Sequence, residues 1–304
     1  MPPAAEQPVG VLLMAYGTPA TPDDIEAYYT HVRRGRPPTS EQLADLRRRY
    51  DAIGGTSPLL ERTRAQARCV QDRLDKSGSS YVVELGMKHA PPFIEDAVEA
   101  LVARGIERAV GLVLAPHFSQ LSVGEYMQRA QAAAGERLAL RFVPQWYEST
   151  LYRHALERRV REGLARLPAT SEVIFTAHSL PARILDMGDP YPAQVQATAA
   201  RVADRASVKR WRVAWQSAGR TPEPWLGPAL LDVMDELAAS SAPGVLVCPA
   251  GFVSDHLEIL YDLDIEARQR AEQLGIAFAR TESLNDDPVF CDALAGEVLD
   301  AYVP

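Results

Sequence analysis

Residues 172–181 read EVIFTAHSLP, a short apolar run that ends abruptly on a histidine. Val173 to Phe175 are typical of a buried strand in a parallel sheet, so His178 falls just past the carboxyl end of that strand. Open α/β folds bind their ligands at that edge of the sheet, which makes His178 the leading catalytic candidate. The alternative is that His178 only satisfies a loop carbonyl, as many polar loop residues do.

The same rhythm of strand and helix runs along the whole chain. Eight apolar runs are predicted to be strands: 9–14, 81–87, 109–115, 138–142, 172–176, 211–216, 244–248 and 276–279. The segments between them are predicted to be helices, and a long one is expected from Asp255 to Leu274. This alternation predicts an α/β protein whose parallel sheets are covered by helices on both faces.

The two halves of the chain resemble each other at matching positions. The first strand of each half ends in an alanine and a ring, Ala15-Tyr16 and Ala177-His178. Two similar domains are the economical explanation, the first at residues 1–147 and the second at 148–284. The closing segment, 285–304, is expected to pack back on the first domain.

Composition excludes several classes of protein. With 304 residues, of which 47% are hydrophobic, the chain can build a proper core. The formal charge of −8 disfavours a nucleic-acid partner, because binding to phosphate backbones depends on a basic surface. The sequence contains neither an apolar run of membrane-span length nor a signal peptide, which predicts a cytoplasmic protein. The glycine turn at 53–58 lacks the Gly-Lys-Ser/Thr of a P-loop, and we predict no nucleotide site.

Arginines are concentrated near the amino terminus of this acidic chain. One cluster holds Arg33, Arg34 and Arg36, and a second follows at residues 47–49. Guanidinium groups pair well with carboxylates, so the clusters suit a small polyanionic ligand. A solvated helix face is an equally good explanation from the sequence alone.

The three cysteines, Cys69, Cys248 and Cys291, are few and scattered. Their number and spacing argue against a disulfide framework and against a thiolate zinc site. They also cannot supply the four thiolates of an iron-sulfur cluster.

Acidic residues recur along the predicted helix 255–274. In an α-helix Glu258, Asp262 and Glu266 would lie on one face at steps of four residues, with Asp264 close by. No lysine is interleaved to relieve their repulsion, so the column is a reasonable place for a hard cation to sit or travel. Two alternatives stay open: Asp255 and Glu258 have the spacing of a helix capping box, and the other carboxylates suit a solvated acidic face.

Seven segments taken together resemble the ferrochelatases, enzymes that insert ferrous iron into a porphyrin. The segments are 13–19 (LMAYGTP), 53–59 (IGGTSPL), 86–89 (GMKH), 177–181 (AHSLP), 216–219 (QSAG), 225–228 (WLGP) and 249–258 (PAGFVSDHLE). They follow the order of the family over nearly the whole chain. The resemblance implies two Rossmann-like domains of the class II chelatase type, with porphyrin bound in the cleft between them.

The resemblance also assigns roles to residues. It implies that His178 is a proton acceptor or metal ligand and that Glu258 faces it. It places three carboxylates on a metal route, namely Asp262, Asp264 and Glu266. His89 matches a family histidine whose role is less certain. Tyr16 would approach the metal from the face opposite His178.

The stretch 28–38, YYTHVRRGRPP, is polar and basic where membrane-associated relatives carry an apolar lip. In this respect the chain resembles the coproporphyrin-using ferrochelatases of Gram-positive-type bacteria, whose substrate has four propionates. Matching positions then imply five propionate contacts: Arg33, Arg49, Tyr50, Ser57 and Tyr126. The alternatives are a ferrochelatase that uses protoporphyrin IX, a chelatase for sirohydrochlorin or a cobalt-corrin precursor, and a porphyrin or haem carrier without catalysis.

The same resemblance sets expectations for cofactors and partners. Fe2+ is expected as a substrate, with no permanently bound cofactor and no iron-sulfur cluster. The acidic helix face is a candidate Mg2+ site. The protein is expected to be a monomer, and coprohaem decarboxylase and coproporphyrinogen oxidase are the candidate protein partners.

Overall fold

A computed structural model describes residues 7–302 of the chain. These residues form two compact units. The first unit contains residues 7–116, 122–146 and 285–302, and the second contains 117–121 and 147–284. Among residues 7–302, no helix is both long and apolar enough to cross a membrane.

The first unit is built on a parallel sheet of four strands, β1 (Val9–Ala15), β2 (Tyr81–Met87), β3 (Arg108–Val113) and β4 (Ala139–Val143). Their order across the sheet is β2-β1-β3-β4. Every residue of β1 is buried, as expected of a central strand whose two faces are covered. Its register with β2 runs from Val9 opposite Tyr81 to Ala15 opposite Met87, which brings the ends of the two strands together.

Five helices of the first unit follow from local sequence signals: α1 (Ile25–Val32), α2 (Ser40–Ala52), α3 (Leu59–Leu74), α4 (Ile94–Ala103) and α5 (Val123–Ala134). Helix α2 begins at a capping box, in which the Thr39 hydroxyl accepts from the Gln42 amide at 3.2 Å and the Gln42 side chain accepts from the Thr39 amide at 3.0 Å. Helix α3 buries residues at steps of three and four along one face, from Leu59 to Leu74.

The second unit repeats this topology. Its strands are β5 (Glu172–His178), β6 (Trp211–Gln216), β7 (Gly244–Cys248) and β8 (Ala277–Arg280), all parallel, in the order β6-β5-β7-β8. Each unit therefore places its first strand between its second and third. The predicted parallel α/β architecture is confirmed, although His178 is the last residue of β5 and does not lie beyond the strand.

The helices of the second unit are α6 (Thr150–Leu164), α7 (Tyr191–Arg205), α8 (Leu230–Ala239), α9 (Leu257–Leu260) and α10 (Arg268–Leu274). The prediction of one continuous α-helix from 255 to 274 was wrong, because a π-helical segment, Asp262–Ala267, separates α9 from α10. Here the Glu266 amide donates to the Tyr261 carbonyl at 3.0 Å, a bond that spans five residues. The π-helical segment packs into the core through Leu263, which is fully buried with Ile174 of β5.

The last helix, α11 (Pro288–Ala301), belongs to the first unit and packs against α3. Its first turn is capped by Asp287, whose carboxylate accepts from the Val289 amide at 3.0 Å. A disulfide joins Cys69 of α3 to Cys291 of α11, with the two Cα atoms 5.9 Å apart. The sequence argued against a disulfide framework and did not predict this single pair, because positions 222 residues apart meet only through the packing of the two helices. Cys248 is a buried free thiol in β7.

We expect the variant Cys69→Ser to lower the free energy of unfolding by about 2–4 kcal/mol, because it removes a cross-link that restricts the unfolded chain. Chemical denaturation with and without a reductant measures this difference. The reductant should lower the stability of the wild type towards that of the variant and leave the variant unchanged. Alkylation of the unfolded, unreduced wild type should modify Cys248 alone. Modification of all three thiols would show that the disulfide is absent.

Candidate functional site

His178 at the end of β5 is oriented by a backbone carbonyl. Its Nδ1 lies 2.5 Å from the Ser179 carbonyl oxygen, which can only accept, so Nδ1 carries the proton and donates. The other ring nitrogen, Nε2, lies 3.4 Å from Oε1 of Glu258. This tautomer leaves Nε2 as the basic nitrogen, facing the carboxylate.

Glu258 lies between two imidazoles. Its second oxygen, Oε2, is 3.5 Å from Nε2 of His256, and Nδ1 of His256 in turn donates to the Ser254 carbonyl at 2.9 Å. His256 occupies the N-cap position of helix α9 without a side-chain capping hydrogen bond, and Asp255 accepts from the Ser283 hydroxyl at 2.7 Å. The capping-box alternative for Asp255 and Glu258 was therefore wrong, and the Glu258 carboxylate is available to the histidines.

The two groups stabilise each other in their charged forms. Loss of solvation alone would lower the pKa of His178, but the adjacent Glu258 carboxylate raises that pKa above its usual value. Burial would raise the pKa of Glu258, but the charge and hydrogen bond of His178, together with His256, hold it well below its usual range. Each group therefore favours the charged form of the other.

A buried hydrogen-bond chain holds the backbone of this pair. The Thr176 hydroxyl donates to the Gln216 side-chain oxygen at 2.7 Å, and the Gln216 side-chain nitrogen donates to the Glu258 carbonyl at 3.3 Å. The Tyr191 hydroxyl donates to the His178 carbonyl at 3.0 Å. Sequence reasoning gave Tyr191 no role, and it quoted Gln216 only within a matching segment. The contacts join residues 13 to 42 positions apart, so no local pattern reveals them.

Two of the acidic residues of the π-helical segment have side-chain partners outside that segment. Asp262 is buried and accepts from the Ser217 hydroxyl at 2.5 Å. Asp264 accepts two hydrogen bonds of 2.8 Å from Arg280 of β8. Because the segment from Asp262 to Ala267 is π-helical, the expectation that Glu258, Asp262 and Glu266 stack on one face of an α-helix was wrong. Glu266 is half-buried.

Metal-binding roles for this run stay predictions. Within residues 7–302, no group of three or more histidine, cysteine, aspartate or glutamate side chains is arranged to hold a metal ion. His178 and Glu258 place one imidazole nitrogen opposite one carboxylate oxygen.

In the first unit, Tyr16 follows β1 and His89 follows β2, with their ring centroids 4.6 Å apart. Tyr16 is 44% exposed, whereas His89 is half-buried. Burial, reinforced by the positive charge of Lys88, lowers the pKa of His89 to about 3 and keeps its ring neutral. His31 of α1, which sequence reasoning did not assign, lies against His89 with the two Nδ1 atoms 3.0 Å apart.

The five predicted propionate contacts differ in what they can offer a ligand. The Arg33 guanidinium lies 5.7 Å over the Tyr29 ring, and Arg49 is 3.2 Å from Asp45 on the same helix. The Ser57 hydroxyl accepts from the Leu59 amide at 3.3 Å, at the start of α3.

The two predicted tyrosines are buried. Tyr50 is 1% exposed, with its hydroxyl 3.2 Å from that of Thr18. Tyr126 is 5% exposed and lies under the Lys88 ammonium group, 4.9 Å from the ring centroid. Burial raises the pKa of the Tyr126 hydroxyl well above its usual value, so this group stays protonated.

The Glu125 carboxylate forms ion pairs with two cationic side chains of the first unit. Glu125 of α5 contacts Lys88 at 2.7 Å and Arg34 at 2.8 Å. Sequence reasoning grouped Arg34 with the ligand-binding arginines but missed Glu125, which lies 91 residues away along the chain.

The family model described as ferrochelatase matches residues 8–302. This chain belongs to the ferrochelatase family. The coproporphyrin III ferrochelatase of Geobacillus thermodenitrificans is 46% identical, over 97% of this chain and 96% of that protein. The coproporphyrin III ferrochelatase of Bacillus subtilis is 43% identical, over 96% of this chain and 97% of that protein. A relative from Herpetosiphon aurantiacus named ferrochelatase is 44% identical, over 93% of this chain and 96% of that protein.

Solved structures of chelatases share the fold of this ferrochelatase family member. SirB from Bacillus subtilis with Fe3+ superposes with a TM-score of 0.58 at 13% identity, covering 97% of this chain and 96% of SirB. CbiX, the terminal enzyme for biosynthesis of sirohaem in denitrifying bacteria, superposes with a TM-score of 0.56 at 12% identity, covering 97% and 100% of the two chains. At these identities the likeness concerns the fold alone, and it confirms the predicted class II chelatase fold.

We expect Arg280→Met to destabilise the protein by about 3 kcal/mol, because it removes a largely buried guanidinium that both Asp264 and Asp255 contact. Chemical denaturation measures the loss. Arg268→Met is the matched control, because Arg268 is half exposed and 3.9 Å from Asp264, and it should cost less than about 1 kcal/mol. Adding Asp264→Asn to Arg280→Met should recover part of the loss. Equal losses in the two arginine variants would contradict the assignment.

Proposed function

We propose that this member of the ferrochelatase family inserts ferrous iron into coproporphyrin III and produces coprohaem for haem biosynthesis. The observation that carries the choice of substrate is the 46% identity, over 97% of the chain, to a protein named coproporphyrin III ferrochelatase. The fold alone would also suit a sirohydrochlorin chelatase, but SirB is only 13% identical to this chain.

Metallation removes two pyrrolic protons, and we assign their acceptance to Nε2 of His178. For this step Nε2 starts unprotonated, and the Glu258 carboxylate, with Oε1 3.4 Å away, stabilises the imidazolium that forms. Nε2 then takes a proton from a pyrrole nitrogen, whose lone pair becomes free for iron. The other oxygen of Glu258 faces His256 at 3.5 Å, which offers the proton an onward route before the second cycle.

The first unit supplies the groups that distinguish a substrate with four propionates from one with two. The segment from α1 to α2 is basic, and it carries Arg33 and Arg49. We assign propionate binding to these two arginines and to Ser57 and Tyr126. Tyr50 is 1% exposed, so its contribution is best supported as an indirect one through Thr18. Tyr16, which is exposed directly after β1, is assigned to the metal.

Protoporphyrin IX is the second candidate substrate, because one relative is named ferrochelatase without a porphyrin in its name. A carrier without catalysis has less support, because binding alone does not require a histidine oriented towards a carboxylate.

We also propose that the protein is a cytoplasmic monomer that works beside coproporphyrinogen oxidase and coprohaem decarboxylase. The acidic residues Asp262, Asp264 and Glu266 are proposed to guide the metal, and Mg2+ is a candidate occupant of this site. Disulfides are rare in a reducing cytoplasm, so whether Cys69 and Cys291 are oxidised or reduced in cells tests the proposed compartment.

We expect coproporphyrin III to be metallated with a kcat/KM at least about tenfold higher than protoporphyrin IX, since each additional charge-assisted hydrogen bond contributes about 1.5–3 kcal/mol. Anaerobic steady-state assays with Fe2+ and either porphyrin measure the ratio. Arg33→Leu should reduce the ratio, whereas Arg268→Leu, on α10 of the other unit, should not. Equal or better use of protoporphyrin would overturn the choice of substrate, and metallation of neither would favour the carrier.

We expect His178→Ala to lower the rate of metallation by about 100-fold or more, the usual size of a general-base contribution. Stopped-flow absorbance of the porphyrin measures the chemical step separately from binding. His154→Ala on α6 is the matched control, because His154 is about half exposed and should leave the rate unchanged. A His178→Ala variant that metallates at the wild-type rate would remove His178 from the mechanism.

A further inference from the structure

Tyr16 is tied to His89 at the carboxyl ends of the neighbouring strands β1 and β2. The His89 amide donates to the Tyr16 carbonyl at 2.8 Å, and the Lys88 amide donates to the Ala15 carbonyl at 2.8 Å. Gly17 turns the chain directly after Tyr16 with φ of +96°, and a Cβ at this position would lie 2.9 Å from the Ala90 nitrogen. The backbone thus places the Tyr16 ring against the His89 imidazole, at a centroid distance of 4.6 Å.

The His89 imidazole is itself held by His31 of α1. The two Nδ1 atoms lie 3.0 Å apart, so one of them must carry the proton and donate while the other accepts. His31 stacks on Phe93, with ring centroids 5.4 Å apart and ring planes inclined by 29°. The Arg129 guanidinium lies 5.5 Å over the Phe93 ring and is anchored by Glu95 at 2.5 Å. The side chains therefore form a series that begins at the Arg129 guanidinium and continues through the rings of Phe93, His31, His89 and Tyr16.

The same two nitrogens could in principle bind a divalent metal, since a separation of about 3 Å suits two imidazole ligands. The local charge opposes this, because the positive charges of Lys88 and Arg129 both act on the His89 imidazole. No third histidine, cysteine or acidic side chain completes a metal-binding group there within residues 7–302. A hydrogen bond between two neutral rings accounts for the contact.

We propose that His31 is a positioning residue that acts through His89 on Tyr16. The hydrogen bond between the imidazoles fixes the His89 ring, and this ring sets the direction in which the Tyr16 phenol points. The inference rests on the proposed function, in which Tyr16 approaches the metal. Because that approach matters when iron enters the macrocycle, loss of His31 acts on kcat, whereas porphyrin binding depends on other residues.

The test compares His31→Leu, His31→Asn and the matched control His154→Leu. In anaerobic assays with Fe2+ and coproporphyrin III, His31→Leu is expected to lower kcat by about 2- to 10-fold, the size of one lost neutral hydrogen bond, with KM for the porphyrin within about twofold of wild type. His31→Asn should restore most of the rate, because its amide can replace the Nδ1 donor or acceptor. His154→Leu should match wild type.

A double-mutant cycle separates positioning from general damage. Tyr16→Phe combined with His31→Leu should be no slower than Tyr16→Phe alone, since His31 acts only through Tyr16. Multiplying effects, an unchanged kcat in His31→Leu, or a loss confined to KM would each overturn the proposal.

A measurement without turnover keeps the inference distinct from the proposed function. The 15N NMR shifts of the His89 ring in porphyrin-free protein report its tautomer, which should change in His31→Leu and not in His154→Leu. If wild-type protein fails to metallate coproporphyrin, the proposed function fails, and these shifts still decide whether the histidine contact exists. Unchanged shifts, or Zn2+ binding by the porphyrin-free wild type that His31→Leu abolishes, would overturn the hydrogen-bond interpretation.

Discussion

The hydrogen bond from Nδ1 of His178 to the Ser179 carbonyl sets the chemistry of the second unit. A histidine at a strand end can present either nitrogen, and the carbonyl leaves only Nε2 to face Glu258. The same device recurs at His256, whose Nδ1 is held by the Ser254 carbonyl. Two backbone oxygens therefore turn Nε2 of both histidines towards one carboxylate, and this arrangement raises the pKa of His178 and lowers the pKa of Glu258.

The π-helical segment shows tertiary contacts overriding local helical preference. Ser217 holds Asp262 and Arg280 holds Asp264, so two successive acidic side chains are each attached to a different strand end. Ser217 adopts a left-handed backbone conformation with φ of 58°, which is uncommon for a residue other than glycine. The extra residue of the π-turn changes the directions of the Asp262 and Asp264 side chains relative to a regular α-helix, and both contacts form in this geometry.

Sequence patterns were sufficient wherever structure depends on near neighbours. The runs 81–87, 211–216 and 244–248 were predicted as strands and match β2, β6 and β7 residue for residue, because strands of a parallel sheet stand out in a sequence as short, largely apolar runs. The prediction that His178 lies at the carboxyl end of the sheet followed from the same rule. The features that sequence patterns missed all depend on distant pairs. Arg280 of β8 forms hydrogen bonds with Asp264 of the π-helical segment, and His31 contacts His89, which is 58 residues away along the chain.

The disulfide between Cys69 and Cys291 has a topological consequence. Both segments of the second unit, residues 117–121 and 147–284, lie between these two cysteines along the chain. The chain therefore contains a covalent ring, closed by sulfur, that encloses the His178 and Glu258 pair. A backbone cut in any loop of that ring leaves the two pieces bonded to each other, so the molecule has two covalent paths between α3 and α11, one through peptide bonds and one through Cys69.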